Sequence, residues 1–575
     1  MPQDLYTLRH ASEELNSLTN QAKIQKVNMP NDYEVVFTVY NGKTQKLVIS
    51  TQANFARVTF TNAEKKNPLV AKNFCMLLRK HCIGARIKNV CIDNNDRIIR
   101  LDLENENELK ELVSFNIFVE IMGKFSNAFL VSNGIILGCM RVAPQNLDSS
   151  RITLSGAKYI FPPKTEKTNP YNKADSLTTF SKFTGGDLGK FILNNFNEFS
   201  PVTAEEIAYR INIIGEYNKD IAVKVLTEFL NEPTAPVTIT YNGKTDYFAF
   251  NYNHLLGERK YYKGLNEAID SVSTILEFKR DFETLKNGIL SKVLAYEKKQ
   301  LKRLNEVEEK LRECANVEKT KLYAELITAN IYALKKGMEK AELINYYSES
   351  GETVIISLDK NLSPNENAQK YYKKYAKLKK TASVLQPRKE EILSEINYVE
   401  NLKFEINNAD TIETLNEINE ELINSNVIKV QEEKNKKKQV KTHKYRVYKV
   451  EKFTVKVGKN NIQNDELTFS ANRNDIWLHT KNYHSCHVII ETENNFVPDA
   501  VIKTVAEITA YFSSGAGGDK IPVDYTLKKF VKKPPKSKPG SVIYTDFKTI
   551  LVTPNEHKEL LQYWHFYKLI LQYIY

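Results

Sequence analysis

Apolar residues recur along this chain at more than one spacing. Between Leu8 and Leu18 they fall at helical intervals, and Phe74, Leu77, Leu78 and His81 repeat the pattern. From Tyr33 to Thr44 the pattern alternates around Tyr40-Asn-Gly-Lys43, predicting a hairpin in which Asn41 and Gly42 supply the positive φ angles of a two-residue turn. Strands follow through Ala85 to Leu103 and Ile117 to Val131, so residues 1–168 read as one mixed α/β domain. Residues 169–236 read as a small helical unit. Gly185-Gly-Asp-Leu-Gly189 and Phe199 to Ile207 have turn and helix-start character, with Thr203 a candidate cap and Glu205 and Glu206 in the first turn.

The next stretch, 237–428, is dominated by long charged helices. From Phe278 the positions Phe282, Leu285 and Ile289 step by four, three and four, and Leu294, Leu301, Leu304 and Leu311 are expected to continue the stripe. A second run, Tyr371, Tyr375, Leu378, Ala382, Leu385, Ile392, Ile396, Val399 and Ile406, keeps one heptad frame across Pro387 and Lys403. Both are too polar to be buried all round, which predicts two antiparallel limbs of a coiled coil, each of about 40 residues and on the order of 60 Å. Ser363 or Asn365 with Pro364 would start the second limb, and strands around Val354 to Ser357 predict a small domain at the tip, about residues 313–362. Residues 429–555 read as a further α+β module. The last segment, 556–575, is aromatic-rich, has no assigned role and is too short to span a bilayer.

Composition narrows the function classes. The 82 Lys plus Arg against 70 Asp plus Glu give a formal charge of +12, compatible with a polyanionic partner. Two basic tracts in the last module strengthen that reading. One runs from Lys429 to Lys459 and includes Lys436-Lys-Lys438 and Tyr445-Arg-Val-Tyr-Lys-Val450; the other holds Lys528, Lys529, Lys532 and Lys533. Six cysteines without a CxxC pair fit reduced cytosolic thiols. Neither a signal sequence nor an apolar run long enough for a membrane span is visible, so a cytoplasmic location is expected. His484-Ser-Cys-His487 has metal-ligand residue types but no second spaced pair, and strand alternation would turn Cys486 and His487 to opposite faces; no metal or other cofactor is assigned. There is no nucleophile-base constellation, and no catalytic residue is named.

Asp96 and Arg97 follow an Asn94-Asn95 turn at the head of an apolar strand. From residue types alone the pair reads either as a salt bridge on a solvated turn or as a contact for RNA phosphate or base edges. Glu120, Ile121 and Met122 end another strand, where core packing is the plainer reading. Trp477 and His479 would share a strand face, either as a stacking platform or with a buried Trp.

Several ordered segments carry a resemblance. Gly458-Lys-Asn-Asn-Ile-Gln-Asn464, Asp475-Ile-Trp-Leu-His479, Cys486-His-Val-Ile-Ile490, Val523-Asp-Tyr-Thr526 and Lys538-Pro-Gly-Ser-Val-Ile-Tyr544 resemble the C-terminal module of the NFACT family, ribosome-quality-control proteins of the RqcH and NEMF type, in bacteria also called fibronectin-binding proteins. Phe74 to His81, Asp96 to Ile99, Val119 to Gly123 and Asn127 resemble its N-terminal domain. Tyr323 to Tyr332 and Leu362 to Gln369 resemble its middle segment. The resemblance implies a multidomain α+β fold: an N-terminal domain, a helix-hairpin-helix unit, a coiled-coil arm and an RNA-binding module. It implies tRNA contacts at Asp96, Arg97, Glu120, Ile121 and Met122, and RNA contacts at Lys459, Asn460, Asn464, Asp475, Trp477, His479 and His487. Implied partners are the large ribosomal subunit, through rRNA and a stalk-base protein met by the arm, with peptidyl-tRNA and aminoacyl-tRNA, alanyl in bacteria. The implied activity is template-independent tailing of stalled chains, with bond formation left to the ribosome.

The sequence departs from the family at Glu198, where Gly is usual, which puts phosphate binding by that hairpin in doubt, and at His484-Ser485-Cys486, where Pro-Gly-Ser is usual. Two alternatives stand beside this reading. One is a fibronectin-binding surface adhesin, for which no export route is visible. The other is a DNA glycosylase/lyase using the Pro2 amine, suggested by the likeness of the family's N-terminal domain to formamidopyrimidine-type glycosylases; Gln3 replaces the Glu that such chemistry needs as acid and base.

Overall fold

The computed structural model describes residues 3–65, 67–107, 109–142, 151–164, 166–349, 351–428, 445–535 and 537–562. The Pro2 amine, the Lys436 to Lys438 tract and most of the C-terminal tail lie outside the described residues. The chain divides into two units, one up to Lys279 and one from Arg280.

The first unit opens with α1 (Leu5–Thr19), capped by the Asp4 side chain on the Thr7 amide. An antiparallel sheet follows: β1 (Lys23–Asn31), β2 (Glu34–Asn41), β3 (Lys43–Ser50), β4 (Arg57–Thr61), then, after α2 (Asn73–Cys82), β5 (Arg86–Ile92), β6 (Ile98–Glu106), β7 (Leu112–Glu120), β8 (Asn127–Ser132) and β9 (Ile135–Cys139). Its nine strands lie in the order β4-β3-β2-β1-β5-β6-β7-β8-β9. Alternating residues such as Ile87, Leu101, Ile117 and Leu130 pack under α1 and α2 side chains including Leu15, Phe74 and Leu78. The β2–β3 hairpin differs from expectation: Tyr40 pairs with Thr44 and Asn41 with Lys43. Of the two turn residues only Gly42 takes a positive φ, +74°, and the Asn41 side-chain amide donates to the Leu18 and Asn20 carbonyls.

Four short helices come next, α3 (Lys173–Phe180), α4 (Leu188–Asn195), α5 (Pro201–Asn212) and α6 (Lys219–Leu230). Asp187 caps α4, its side chain accepting from the Lys190 amide. The cap of α5 is Ser200, not Thr203, with Pro201 in the first turn where its missing N–H does no harm. Thr203 instead donates to Asp4 Oδ2 at 2.5 Å, and Glu206 is buried against Arg210 and His254 rather than serving the helix end. Strands β10 (Val237–Tyr241), β11 (Lys244–Phe248) and β12 (Glu258–Tyr261) form a small sheet. Val237, Ile239, Tyr247 and Phe248 share one core with Phe180, Ile207 and Phe229.

Helix α7 (Leu265–Glu313) crosses the boundary between the units. In the second unit it is followed by α8 (Val317–Ala329), the ribbon β13 (Lys340–Ile344) and β14 (Thr353–Ser357), α9 (Pro364–Asn408) and α10 (Ile412–Asn424). Ser363 and Glu366 close a capping box on α9, and Pro364 sits in its first turn. Lys286 reaches the Asn407 carbonyl, Glu297 meets Lys403 and Glu308 meets Lys389, so α7 and α9 run antiparallel over this stretch. The α7 stripe is corrected in its middle. Leu294 and Leu301 face solvent, and the four-three-four stepping continues instead through Val293, half-buried Tyr296 and Gln300. Ile289, Val293, Val399, Leu402 and Ile406 form a core with Leu415, Ile418 and Leu422 of α10.

The last module is a six-stranded antiparallel sheet with two helices. In chain order these are β15 (Arg446–Val450), β16 (Phe453–Val457), α11 (Asn461–Ser470), β17 (Ile476–Thr480), β18 (Val488–Glu491), α12 (Asp499–Tyr511), β19 (Ile521–Leu527), the short pair β20 (Val531–Lys532) and β21 (Ile543–Tyr544), and β22 (Lys548–Val552). Val455, Leu478, Val488 and Val523 pack with Val501, Val505 and Ile508 of α12, whereas Trp477, Ile489, Leu467 and Val531 form a separate smaller core.

Candidate nucleic-acid interfaces

In the first unit the Asp96–Arg97 turn joins β5 to β6. Asn94 and Asn95 both take left-handed φ values, 55° and 50°, reversing the chain tightly. Asp93 holds Arg100 at 2.6 Å, and Asp96 Oδ1 accepts the Arg97 amide at 2.7 Å. Asn95 Oδ1 accepts from Arg9 at 2.6 Å. The Arg97 guanidinium is exposed and makes no hydrogen bond or ion pair among the described residues. The Arg97 carbonyl accepts from the Ile121 amide at 2.8 Å, so the Asp96–Arg97 and Met122–Ser126 turns sit side by side. The structure thus brings together two segments that lie apart in sequence.

It also separates the members of the expected tRNA set. Glu120 is 3% exposed, accepts from Arg151 Nη1 and Tyr159 Oη, both at 2.9 Å, and pairs with Arg151 a second time through Nη2. Burial and this carboxylate together push the Tyr159 phenol up. Ile121 is buried in the sheet core. Both side chains are turned inward and brace the turn, in contrast to the surface contacts expected of them, while half-buried Met122 and exposed Lys124 and Phe125 reach its surface. Glu198 is likewise structural. It is buried against Arg9 at 2.9 Å, and burial raises its carboxyl above the ordinary value.

In the second unit the Gly458–Asn464 segment turns inward. Asn460 caps α11 through the Gln463 amide, and its Nδ2 donates to Glu417 at 2.7 Å. Gln463 donates to the same oxygen at 2.7 Å, and Asn461 donates to Glu421 at 3.0 Å. Glu405 and Glu421 are both buried, which raises their carboxyls, Glu421 to about 7. Lys459 is largely buried, 3.5 Å from Asp410, and burial lowers its ammonium. Asn464 Oδ1 accepts the His487 amide at 3.0 Å. Gly458 is required by this approach, since a Cβ there would lie 2.1 Å from Asn464 Oδ1. Asn460, Asn461 and Gln463 join the module to α10, and Lys459, Asn460 and Asn464 spend polar atoms on contacts within the chain.

Asp475, Trp477 and His487 are also buried. Asp475 accepts from the Asn472 and Thr492 amides, each at 2.9 Å, fixing the turn before β17. Trp477 is 0% exposed and packs on His479, His487 and Tyr544, so of the two readings the buried Trp holds. Half-buried His479 lies parallel to the indole at 5.7 Å. Burial pushes the His479 imidazole down to about 4 and that of His487 to about 3. Cys486 lies in the α12 core, opposite His487, and among the described residues no cluster of three metal-ligating side chains forms. In β15, Tyr448 is buried and Arg446 pairs with Asp410 at 3.2 Å, so this basic-aromatic alternation is not free for stacking.

The second basic tract behaves differently. Lys528 is half-buried, Lys529 and Lys532 are exposed, and none of the three has an ion pair among the described residues. Lys533 pairs with Asp465. Exposed Arg473, which the sequence reading passed over, joins the ridge because its carbonyl accepts the Lys529 amide at 3.1 Å. Of the candidate turn and ridge residues, those without an ion pair among the described residues are Arg97 and Lys124 in one unit, and Arg473, Lys528, Lys529 and Lys532 in the other.

Comparison with known proteins matches residues 4–441 to the NFACT N-terminal and middle domains and residues 441–546 to the NFACT protein RNA binding domain. The chain is 34% identical over 556 residues to the Rqc2 homolog RqcH of Bacillus subtilis, covering 95% of this chain and 96% of that protein. It is 32% identical over 563 residues to the Rqc2 homolog RqcH of Streptococcus pneumoniae serotype 2, covering 96% of this chain and 98% of that one. A solved structure of the N-terminal part of the fibronectin/fibrinogen-binding protein from Streptococcus suis is 28% identical, covers 47% of this chain and 99% of that one, and superposes with a TM-score of 0.43. Among the described residues no helix is long and apolar enough to cross a membrane. Matched along nearly its whole length, with the two family regions in order, the chain belongs to the NFACT family.

Proposed function

We infer that this chain is a ribosome-associated quality control factor. It binds a large ribosomal subunit still obstructed by peptidyl-tRNA and recruits a further tRNA, so that the stalled peptide is extended at its C-terminus without a template and marked for degradation. Alanine is the residue added, and the location of the work is the cytoplasm. Peptide-bond formation belongs to the ribosome, and this chain supplies position and selection. The observation that carries the reading is the likeness to Rqc2 homologues over 95% of the chain. Free cations on both RNA-facing candidates agree with it.

Within that function the Asp96–Arg97 turn contacts tRNA, with Arg97 offering a planar fork to phosphate or base edges. The Arg473 and Lys528 to Lys532 ridge contacts RNA backbone. Helices α7 and α9 serve as a coiled-coil arm, and the segment about 313–362 between them meets a protein at the stalk base.

Sucrose-gradient sedimentation of tagged protein from cells tests the reading: it should co-migrate with free large subunits carrying tRNA. Absence from those fractions would overturn the function. Co-migrating tRNA undiminished in Asp96→Ala and Arg97→Ala variants would remove the role given to that turn.

A further inference from the structure

The Met122–Ser126 turn presents a side chain that no motif singles out. Phe125 is 70% exposed at the end of the single helical turn Gly123–Phe125. A lone exposed apolar residue is ordinary on a protein surface. This one differs in how firmly its backbone is held and in what flanks it. The Phe125 amide donates to the Met122 carbonyl at 3.1 Å, and Ser126 Oγ both donates to the Gly123 carbonyl at 2.8 Å and accepts from the Met122 amide at 2.9 Å. Arg141 donates to the Lys124 carbonyl at 3.1 Å and to the Ser126 carbonyl. Gly123, at φ +57°, lets the chain reverse at its start. The ring is therefore carried on a pre-organised turn.

The flanking charge is positive. Lys124 Nζ lies 5.0 Å from the Phe125 ring centroid, and neither Lys124 nor Arg97 has an ion pair among the described residues. The Ile121 amide ties this turn to the Arg97 carbonyl. A rigid aromatic face beside uncompensated cations is the arrangement that binds single-stranded nucleic acid, the ring stacking on a base while the cations meet phosphate.

We propose that Phe125 is the stacking platform for one unpaired base of the bound RNA, beside Arg97. This rests on the RNA-binding reading of the turn and adds to it one contacting residue and its mode of contact.

The test uses the full-length protein and a synthetic RNA hairpin with a seven-base loop containing one 2-aminopurine, with a blunt duplex of the same stem as reference. The unaltered chain should bind the hairpin and quench the 2-aminopurine. Phe125→Trp should retain both properties. Phe125→Leu, apolar but without a π face, should bind the hairpin about tenfold more weakly, lose the quenching and leave duplex binding and the salt dependence unchanged. Phe125→Leu matching the unaltered chain in affinity and quenching would overturn the proposal while leaving the RNA-binding reading intact. An unaltered chain that binds neither hairpin nor unfractionated tRNA would overturn both.

Discussion

The Arg97 carbonyl and the Ile121 amide are joined by a hydrogen bond of 2.8 Å that couples the β5–β6 turn to the end of β7. The bond uses only backbone, so the Arg97 guanidinium can be changed without disturbing the contact that positions it. Arg97→Ala should therefore leave the unfolding free energy within about 0.5 kcal/mol of the parent while weakening tRNA binding. Arg97→Lys should restore only part of the affinity, because an ammonium cannot make the paired bonds of a guanidinium. Filter binding at two salt concentrations, alongside calorimetry, separates these effects.

Glu120 should behave in the opposite way. Its substitution by Ala leaves the part-buried Arg151 and the buried Tyr159 without their shared acceptor, so the first unit should lose about 2 to 4 kcal/mol by denaturant unfolding. Any loss of tRNA binding should track the unfolded fraction. Full stability with specific loss of tRNA affinity would return Glu120 to the binding surface.

Gly458→Ala should destabilise the second unit by about 1 to 3 kcal/mol, since the new methyl carbon would lie 2.1 Å from Asn464 Oδ1 and must displace the amide that holds the His487 backbone. Urea unfolding followed by Trp477 fluorescence, with Trp564 replaced by Phe, reads this directly.

Two groups of side chains in the second unit give pH dependences of opposite sign. The folded imidazoles of His479 and His487 lie below the ordinary 6.5, near 4 and 3, so the unfolded chain binds more protons. Their contribution is complete above about pH 6.5 and is lost as pH falls through 4 and 3. Glu421 lies above the ordinary 4.5, near 7, so its contribution is complete below about pH 4.5 and is lost as pH rises through 7. Stability measured from pH 3 to 8 should respond to both, and Glu421→Gln should reduce the loss on the alkaline side only, leaving the part that comes from buried Glu405.

Replacing Lys528, Lys529 and Lys532 together by Ala should lower RNA affinity for all sequences alike and reduce the slope of log affinity against log salt by about 2 to 3. Lys459→Ala should change stability instead, because Lys459 is enclosed beside Asp410. An unchanged slope in the triple variant would mean that the ridge does not meet phosphate.

Parts of this architecture are local and therefore legible in the residues alone. Ser363 with Pro364 and Glu366 starts α9 because a hydroxyl, an imino nitrogen and a carboxylate each suit one position of a helix start. Asn94-Asn95 reverses the chain because both tolerate left-handed φ. The four-three-four stepping of α7 passed through Gln300, where reading by apolarity pointed to Leu301, so periodicity is the better guide to the buried face than residue type.

What a motif residue does is decided by contacts far along the chain. Family resemblance pointed Glu120 toward RNA, but Arg151, some thirty residues later, closes on it, and Asn460 and Gln463 meet an acid on α10 more than forty residues earlier. The sequence by itself determined the α9 start, the Asn94-Asn95 reversal, the order of the family's segments and the family to which they belong, because these follow from spacing, backbone preference and ordered motifs. Only the tertiary structure decided which candidate polar side chains are consumed in the interior and which, such as Arg97, Lys124, Lys529 and Lys532, stay exposed without an ion pair among the described residues. A buried polar group must find a partner, and that partner can come from anywhere in the chain.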